Sequence, residues 1–176
     1  MISEEMIRLS EGSSSIRAMF EEGKRLASIY GAENVYDFSL GNPSVEPPAK
    51  VKEAIINILN TEDPNFIHGY TNNSGYEDVR QSIADYTNKK FGTNFSYENI
   101  VMTNGAAAAL NIIFRCILNP GDEIITFAPF FTEYRNYVSI FKSTLTVVPA
   151  NTETFEVNFD EFEKLISPKT RGVLMN

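Results

Sequence analysis

Apolar and polar residues follow one pattern in the first hundred residues and another in the rest of the chain. The first part has apolar positions at helical spacing, separated by polar loops that contain prolines. This pattern predicts helices over residues 16–30, 49–59 and 75–91, a short extended segment at 35–40 and an exposed or functional loop at 63–74. The serines at positions 13–15 are expected to cap the first helix.

Beyond residue 99, short apolar runs alternate with helical stretches. Strands are expected at 100–103, 123–127, 144–148 and 172–175, and helices at 106–118, 132–141 and 160–165. Such alternation predicts an α/β fold with a mostly parallel sheet and helices on its faces. Ligands of these sheets bind beyond the carboxyl ends of the strands, so the residues that follow the strands are the first candidates for a functional site.

The first of these strand ends is a candidate anion site. Asn104-Gly105 follows the strand and leads into four alanines, Ala106 to Ala109. Glycine permits a tight turn, and small side chains leave the first N–H groups of the helix open to a phosphate, which the helix dipole also favours. Alanine is also the best helix former, so the same residues suit a helix that only packs closely on a sheet. The pattern leaves both interpretations open.

The second strand end is rich in aromatic residues, since Phe130, Phe131 and Tyr134 follow it closely. An aromatic face at this position can stack on a planar ligand, whereas either phenylalanine could instead close the top of the core. If a phosphate binds at the alanine turn, a ring attached to it would lie over this neighbouring strand end. That position favours Phe131 as the stacking residue.

Composition narrows the choice of partners and location. The chain has 176 residues, of which 43% are hydrophobic, and this is enough for one core. A net charge of −8 without any basic cluster disfavours nucleic acid and anionic membranes as partners. The single cysteine, Cys116, lies in an apolar run and is expected in the core. A reducing, cytoplasmic location is favoured, because the first residues have no signal-peptide pattern.

No spacing of histidine, cysteine or acidic residues indicates a metal site. The only histidine, His68, lies in a polar loop and is expected to be solvated or to pack rather than to act as a catalyst.

Six short motifs occur in an informative order along the chain. They are Leu40-Gly41-Asn42-Pro43, Tyr70-Thr71-Asn72-Asn73-Ser74-Gly75 with Val79-Arg80 behind it, Thr103-Asn104-Gly105-Ala106, Asn119-Pro120-Gly121-Asp122-Glu123, Pro129-Phe130-Phe131 and Asn176. Together they resemble the N-terminal portion of the class I/II aminotransferases, which are pyridoxal-phosphate enzymes of fold type I. The resemblance implies a three-layer α/β sandwich with a mostly parallel sheet. It also implies that residues 1–45 form an N-terminal arm with a segment of a small α+β domain, and that residues 46–176 form an incomplete large domain.

The resemblance further implies pyridoxal 5′-phosphate as the cofactor and assigns residues to it. Gly105, Ala106 and Ala107 match the turn whose backbone N–H groups hold the phosphate. Phe131 matches the aromatic residue that stacks on the pyridine ring, although relatives usually carry tyrosine or tryptophan there. Asn176 resembles the asparagine that hydrogen-bonds the phenolic oxygen of the cofactor; otherwise it would be a turn residue at a strand end.

Two further residues are assigned by the same resemblance. Tyr70 resembles the tyrosine that reaches the phosphate of the neighbouring subunit, which implies a homodimer; otherwise it would be a loop aromatic that covers the core. Gly41 resembles the glycine whose backbone lies beside the substrate carboxylate, although a glycine before Asn-Pro also suits a plain turn.

The implied activity is the transfer of an amino group between an L-amino acid and a 2-oxo acid. The family's Schiff-base lysine, the acid that pairs with the pyridine nitrogen and the arginine that binds the substrate carboxylate all correspond to positions beyond Asn176. The 176 residues of this sequence are therefore expected to be the N-terminal part of an enzyme about twice as long. They are expected to be inactive alone. Two alternatives stay open: a carbon–sulfur lyase of the same fold, and a non-catalytic phosphate-binding α/β module.

Overall fold

The computed structural model describes residues 2–4, 6–7, 15–39, 41 and 43–176, and only the backbone of residues 15–17. The chain forms two compact units, Met1–His68 and Gly69–Asn176. The predicted domain division between residues 45 and 46 stays a prediction. Three predicted features fall partly outside the described residues: the cap at Ser13 and Ser14, the motif residues Leu40 and Asn42, and the end of the extended segment at 35–40.

The first unit is helical. In residues 15–39, 41 and 43–68 its helices are α1 (Ser15–Tyr30), α2 (Ala49–Thr61) and α3 (Pro64–Ile67), with a 3₁₀ turn at Ala32–Asn34. Residues 35–39 form no strand, so the extended segment is not part of a sheet. Helix α3 lies in the predicted loop, where the Asp63 carboxylate accepts a hydrogen bond from the Asn65 N–H at 2.7 Å and Pro64 occupies the first turn.

The second unit contains the predicted alternation of strands and helices. Its elements are α4 (Glu77–Phe91), a 3₁₀ turn (Tyr97–Asn99), α5 (Gly105–Ile117), β1 (Glu123–Phe127), α6 (Tyr134–Ser139), β2 (Thr144–Val148), α7 (Phe159–Leu165) and β3 (Thr170–Leu174). The three strands form one parallel sheet in the order β2-β1-β3. The predicted α/β fold with a parallel sheet is therefore confirmed.

Strand β1 is buried on both faces, because helices pack on both sides of the sheet. On one face, Ile124 packs in the core with Phe114 of α5 and Val138 of α6. On the other face, the rings of Phe127 and Phe162 of α7 lie 5.4 Å apart between centroids. Alternate residues of a strand point to opposite faces, so these contacts define three layers.

The predicted strand at 100–103 is wrong. Among the described residues, this segment makes no sheet pairing, although the Met102 N–H donates to the Ser74 carbonyl at 3.0 Å. Side chains of α4 bind the backbone just before it instead: the Arg80 guanidinium donates to the Tyr97 carbonyl, and the Gln81 side chain accepts from the Tyr97 N–H. The apolar pattern correctly indicated an extended segment. It could not show that side chains of α4, and not a neighbouring strand, form hydrogen bonds with the backbone next to this segment.

The predicted burial of Cys116 is also wrong, because Cys116 is exposed. The inward face of α5 carries Leu110 and Phe114, which lie four residues apart and pack in or against the core. Cys116 lies two positions after Phe114, about 200° around the helix, and so points away from the sheet.

A buried carboxylate holds the turn before β1. Asp122 is 6% exposed, accepts a hydrogen bond from the Asn119 N–H at 2.8 Å and forms an ion pair with Arg171 at 3.0 Å. The Asn119 N–H is the main cause that lowers the pKa of Asp122; burial opposes it and Arg171 lowers the pKa further. The carboxylate therefore stabilises the fold in full above about pH 4, the usual range of aspartate, and this stabilisation is lost as the pH falls through the lower folded pKa.

Asp122→Asn is expected to weaken this pH dependence. The variant keeps a side-chain oxygen for the Asn119 N–H but loses the charge that pairs with Arg171. The urea midpoint of unfolding should fall at neutral pH and should change less below about pH 4 than in the wild type. Urea titrations followed by circular dichroism at a series of pH values measure both effects, with exposed Glu153→Gln as the control. An acid limb that is unchanged in Asp122→Asn contradicts the assignment.

In the part of the chain that the structure describes, none of the helices combines the length and the apolar character needed to cross a membrane.

Candidate active site

The alanine turn begins at a backbone conformation that favours glycine. Gly105 has φ +81° and lies at the first position of α5, directly after Asn104. The Gly105 N–H donates to the Thr103 carbonyl at 2.9 Å, and the Thr103 hydroxyl donates to the Gly105 carbonyl at 3.1 Å. These two hydrogen bonds fix the direction in which the helix starts.

The next two N–H groups of α5 are open. Ala106 and Ala107 are exposed, and no acceptor among the described residues binds their backbone N–H groups. The side chain of Asn104 makes no capping hydrogen bond to the helix either. The N-terminus of a thirteen-residue helix therefore presents unpaired donors, together with its dipole, to solvent.

The two phenylalanines after β1 have different environments. Phe130 is half-buried and packs against the core cluster, while the Arg135 guanidinium lies 5.2 Å from its ring centroid. Phe131 is 43% exposed and meets Tyr134 edge to face, with ring centroids 5.6 Å apart. The alternative that a phenylalanine closes the core applies to Phe130, whereas Phe131 keeps an accessible ring.

Asn176 follows β3 by two residues and has an exposed side chain. The last residue of β3 is held in place by Thr126, a fully buried residue of β1 whose hydroxyl donates to the Leu174 carbonyl at 2.8 Å. The Asn176 side-chain oxygen accepts a hydrogen bond from the Tyr134 hydroxyl at 2.7 Å. The sequence pattern placed Tyr134 among the aromatic residues that follow β1, but it gave no indication of a contact with Asn176.

These aromatic and amide groups line one concavity. It has a volume of about 490 Å³, is open to solvent and is lined by Pro129, Phe130, Phe131, Tyr134 and Asn176. Most of the lining is apolar or aromatic, with the amide as a polar group. Such a surface suits a flat, partly polar ring.

The alanine turn and this concavity belong to the same edge of the sheet. Phe131 and Asn176 follow the carboxyl ends of β1 and β3, which are adjacent and parallel. Helix α5 ends five residues before β1 begins and packs on the sheet through Leu110 and Phe114, so it runs back along the strand. Its length of about 20 Å brings its N-terminus to the edge where β1 ends.

The other candidate residues do not line this concavity. Tyr70 lies at the start of the second unit with a fully exposed side chain, and His68 is exposed at the end of the first unit. Gly41 belongs to the first unit and is exposed; a Cβ atom built on it would meet no described atom within 4 Å. The roles of Tyr70 and Gly41 therefore stay predictions.

Known proteins that resemble this chain belong to the same family as the sequence motifs indicate. The family model for aminotransferase class I and II matches residues 33–176. An arginine–pyruvate transaminase from Pseudomonas aeruginosa is 30% identical over 154 residues, which cover 87% of this chain and 38% of that protein. An aspartate aminotransferase from Thermotoga maritima is 31% identical over 161 residues, covering 91% of this chain and 42% of the relative. The chain thus spans about two fifths of the length of these curated relatives.

A solved structure extends the similarity to the fold. The crystal structure of an amino transferase from Eubacterium rectale has a TM-score of 0.92 and 44% identity, and the match covers 98% of this chain and 44% of that one. The fold implied by the sequence motifs is therefore confirmed as that of the fold type I aminotransferases. Since the family model covers residues 33–176, well over half of the chain, the chain belongs to the class I and II aminotransferase family.

Proposed function

We propose that this chain supplies part of the cofactor site of a pyridoxal-phosphate-dependent aminotransferase, which moves an amino group between an L-amino acid and a 2-oxo acid. The observation that carries the proposal is the concavity that an exposed aromatic ring and a side-chain amide share at one edge of the sheet, together with two open N–H groups at the start of α5. Family membership supports the cofactor, because class I and II aminotransferases generally depend on pyridoxal phosphate. The relatives reported above are named as transaminases or aminotransferases, which supports transamination over the lyase alternative.

The three features fit three different parts of pyridoxal phosphate. The N–H groups of Ala106 and Ala107 can donate to its phosphate, and the helix dipole favours that charge. The face of Phe131 can stack on the pyridine ring, and the amide of Asn176 can donate to the phenolic oxygen. Because the turn has only small side chains, backbone donors supply most of its attraction for the phosphate.

In this site the protein residues would bind and orient the cofactor, while the cofactor would supply the chemistry. When bound, pyridoxal phosphate acts as an electron sink for charge that develops at the substrate Cα. The alanine turn would fix one end of the cofactor, and Phe131 would fix the plane of its ring. Asn176 would stabilise negative charge on the phenolic oxygen, because a hydrogen bond to a charged group favours the charged form.

The proposal extends to substrates and assembly. The fully exposed phenol of Tyr70 supports a role at a neighbouring subunit's phosphate in a homodimer. Gly41 is proposed to lie beside the substrate carboxylate, since an exposed glycine backbone permits close approach. A cytoplasmic location stays a prediction from the single cysteine and the sequence of the first residues.

Reductive trapping tests the proposed function. The protein is purified from its natural source, incubated with pyridoxal phosphate, reduced with borohydride and measured by intact mass under denaturing conditions. We expect one pyridoxyl group per chain. It should be on a lysine outside this sequence, because none of its lysines, from Lys24 to Lys169 inclusive, occupies the family's lysine position. Formation of a 2-oxo acid without release of ammonia then distinguishes a transaminase from a lyase. The absence of any specific adduct would support the non-catalytic binding module instead.

A further inference from the structure

The hydrogen bond between Tyr134 and Asn176 joins two residues that are far apart in sequence. The Tyr134 hydroxyl donates to the Asn176 side-chain oxygen at 2.7 Å, across 42 positions of the chain. Tyr134 is the first residue of α6, and Asn176 follows β3. The bond therefore connects the helix after β1 with the end of the neighbouring strand.

Tyr134 is itself held by its surroundings. Its ring is half-buried and packs against the core cluster. It meets Phe131 edge to face at 5.6 Å and lies 6.3 Å from the ring of Tyr137. A phenol that is fixed by packing on several sides is a rigid donor, so the position of its hydroxyl determines where the amide oxygen of Asn176 can lie.

A side-chain amide has two chemically different ends. Its oxygen only accepts hydrogen bonds, whereas its NH₂ group only donates them. The terminal torsion of asparagine is broad and roughly two-fold, so an unrestrained amide populates both orientations. When Tyr134 binds the oxygen, the NH₂ group must point the other way, and none of the described residues accepts a hydrogen bond from it.

We propose that Tyr134 is a positioning residue that orients the Asn176 amide so that its NH₂ group faces the phenolic oxygen of the cofactor. This inference rests on the proposed function. In the opposite orientation, the amide oxygen would face an oxygen that carries negative charge, and the interaction would be repulsive. Tyr134 thus acts through Asn176 and needs no contact with the substrate.

Tyr134→Phe tests this role with little disturbance of packing, because only the hydroxyl is removed. The affinity for pyridoxal phosphate is measured by titrating the cofactor-free protein, for the wild type, Tyr134→Phe, Asn176→Ala and the double variant. We expect the dissociation constant of Tyr134→Phe to rise about fivefold, the size of one lost hydrogen bond. In the Asn176→Ala background, the same change should alter it less than about twofold, since the two residues act as one unit.

A spectroscopic readout separates positioning from a general loss of binding. Loss of a donor to the phenolic oxygen favours its protonated form, so the pH midpoint of the bound cofactor's absorbance change should rise in Tyr134→Phe. Tyr137→Phe is the matched control, because Tyr137 lies on the same helix and is half-buried beside Tyr134. It should change neither the midpoint nor the dissociation constant.

The outcomes distinguish this inference from the function on which it rests. If the wild type binds pyridoxal phosphate but Tyr134→Phe leaves both the affinity and the pH midpoint unchanged, the positioning role is wrong and the proposed function stands. Equal losses from Tyr134→Phe with and without Asn176 also overturn it, because they indicate a packing effect. If the wild type does not bind the cofactor, the proposed function is wrong and the inference falls with it.

Discussion

Arg80→Met is expected to lower the free energy of unfolding of the second unit by about 2 to 4 kcal/mol. Arg80 is only 6% exposed, its Nε donates to the Gly75 carbonyl at 3.1 Å, and its Nη1 donates to the Tyr97 carbonyl at 2.9 Å. Methionine keeps an unbranched apolar stem like that of arginine, although it is shorter, and it donates no hydrogen bond. The Gly75 carbonyl would lose the guanidinium as its donor, and the Tyr97 carbonyl would keep only the Ile100 N–H at 3.2 Å. The loss of these partly buried hydrogen bonds is more costly than the loss of an exposed contact.

Urea unfolding followed by circular dichroism measures the loss, and hydrogen exchange locates it. The Met102 N–H, which donates to the Ser74 carbonyl, should exchange faster in Arg80→Met because Arg80 holds the backbone on both sides of this contact. Arg135→Met is the matched control. Each guanidinium lies 5.2 Å from an aromatic ring centroid, but Arg135 is exposed.

We expect Arg135→Met to cost about 1 kcal/mol or less, the usual size of an exposed cation–π contact. Equal losses in the two variants would show that the carbonyl contacts of Arg80 do not stabilise the unit.

The burial of Arg80 illustrates a limit of sequence reasoning. Apolar spacing correctly predicted a helix at 75–91, but the buried residues of α4 are Arg80 and Ala84 rather than the regularly spaced apolar residues. A charged side chain is buried here because two backbone carbonyls accept its hydrogen bonds, one from the turn just before α4 and one from a segment 17 residues further along the chain. That arrangement depends on tertiary structure, so a pattern of apolar residues along one helix cannot show it.

The strands could be predicted from the sequence where consecutive residues of a strand are buried. The predicted bounds of the strands at 123–127 and 144–148 agree with β1 and β2. The three central residues of β1 are buried, so the strand carries the run Ile124-Ile125-Thr126 instead of an alternation of apolar and polar residues, and the Pro-Gly-Asp turn precedes the strand. The expected strand at 100–103 had a similar run, but extended backbone becomes a strand only when a neighbour offers a ladder of hydrogen bonds.

The candidate site was predictable only as separate pieces. Each motif at a strand end could be recognised locally, because glycine, alanine and exposed aromatic residues have distinct local effects. The pairing of Tyr134 with Asn176 could not, since it joins residues 42 positions apart. The order of the motifs indicated the family, whereas the contact between Tyr134 and Asn176 was visible only in the structure.

Gly105→Ala is expected to raise the dissociation constant for pyridoxal phosphate about tenfold or more. Gly105 has φ +81°, a region that costs other residues about 1 to 2 kcal/mol. A Cβ atom built on it would meet no described atom within 4 Å, so the effect would be conformational rather than steric. Relaxation of the backbone toward negative φ would turn the N–H groups of Ala106 and Ala107 away from the phosphate.

Gly92→Ala provides the control for this prediction. Gly92 has φ +69°, ends α4, and a Cβ atom built on it would also meet no described atom within 4 Å. Both substitutions therefore strain the backbone similarly and should lower the urea midpoint by similar amounts, but only Gly105 lies where the phosphate is proposed to bind. Titration of the cofactor-free variants with pyridoxal phosphate should show a large loss of affinity for Gly105→Ala alone. A similar loss in Gly92→Ala would trace the effect to general destabilisation, and unchanged affinity in Gly105→Ala would place the phosphate elsewhere.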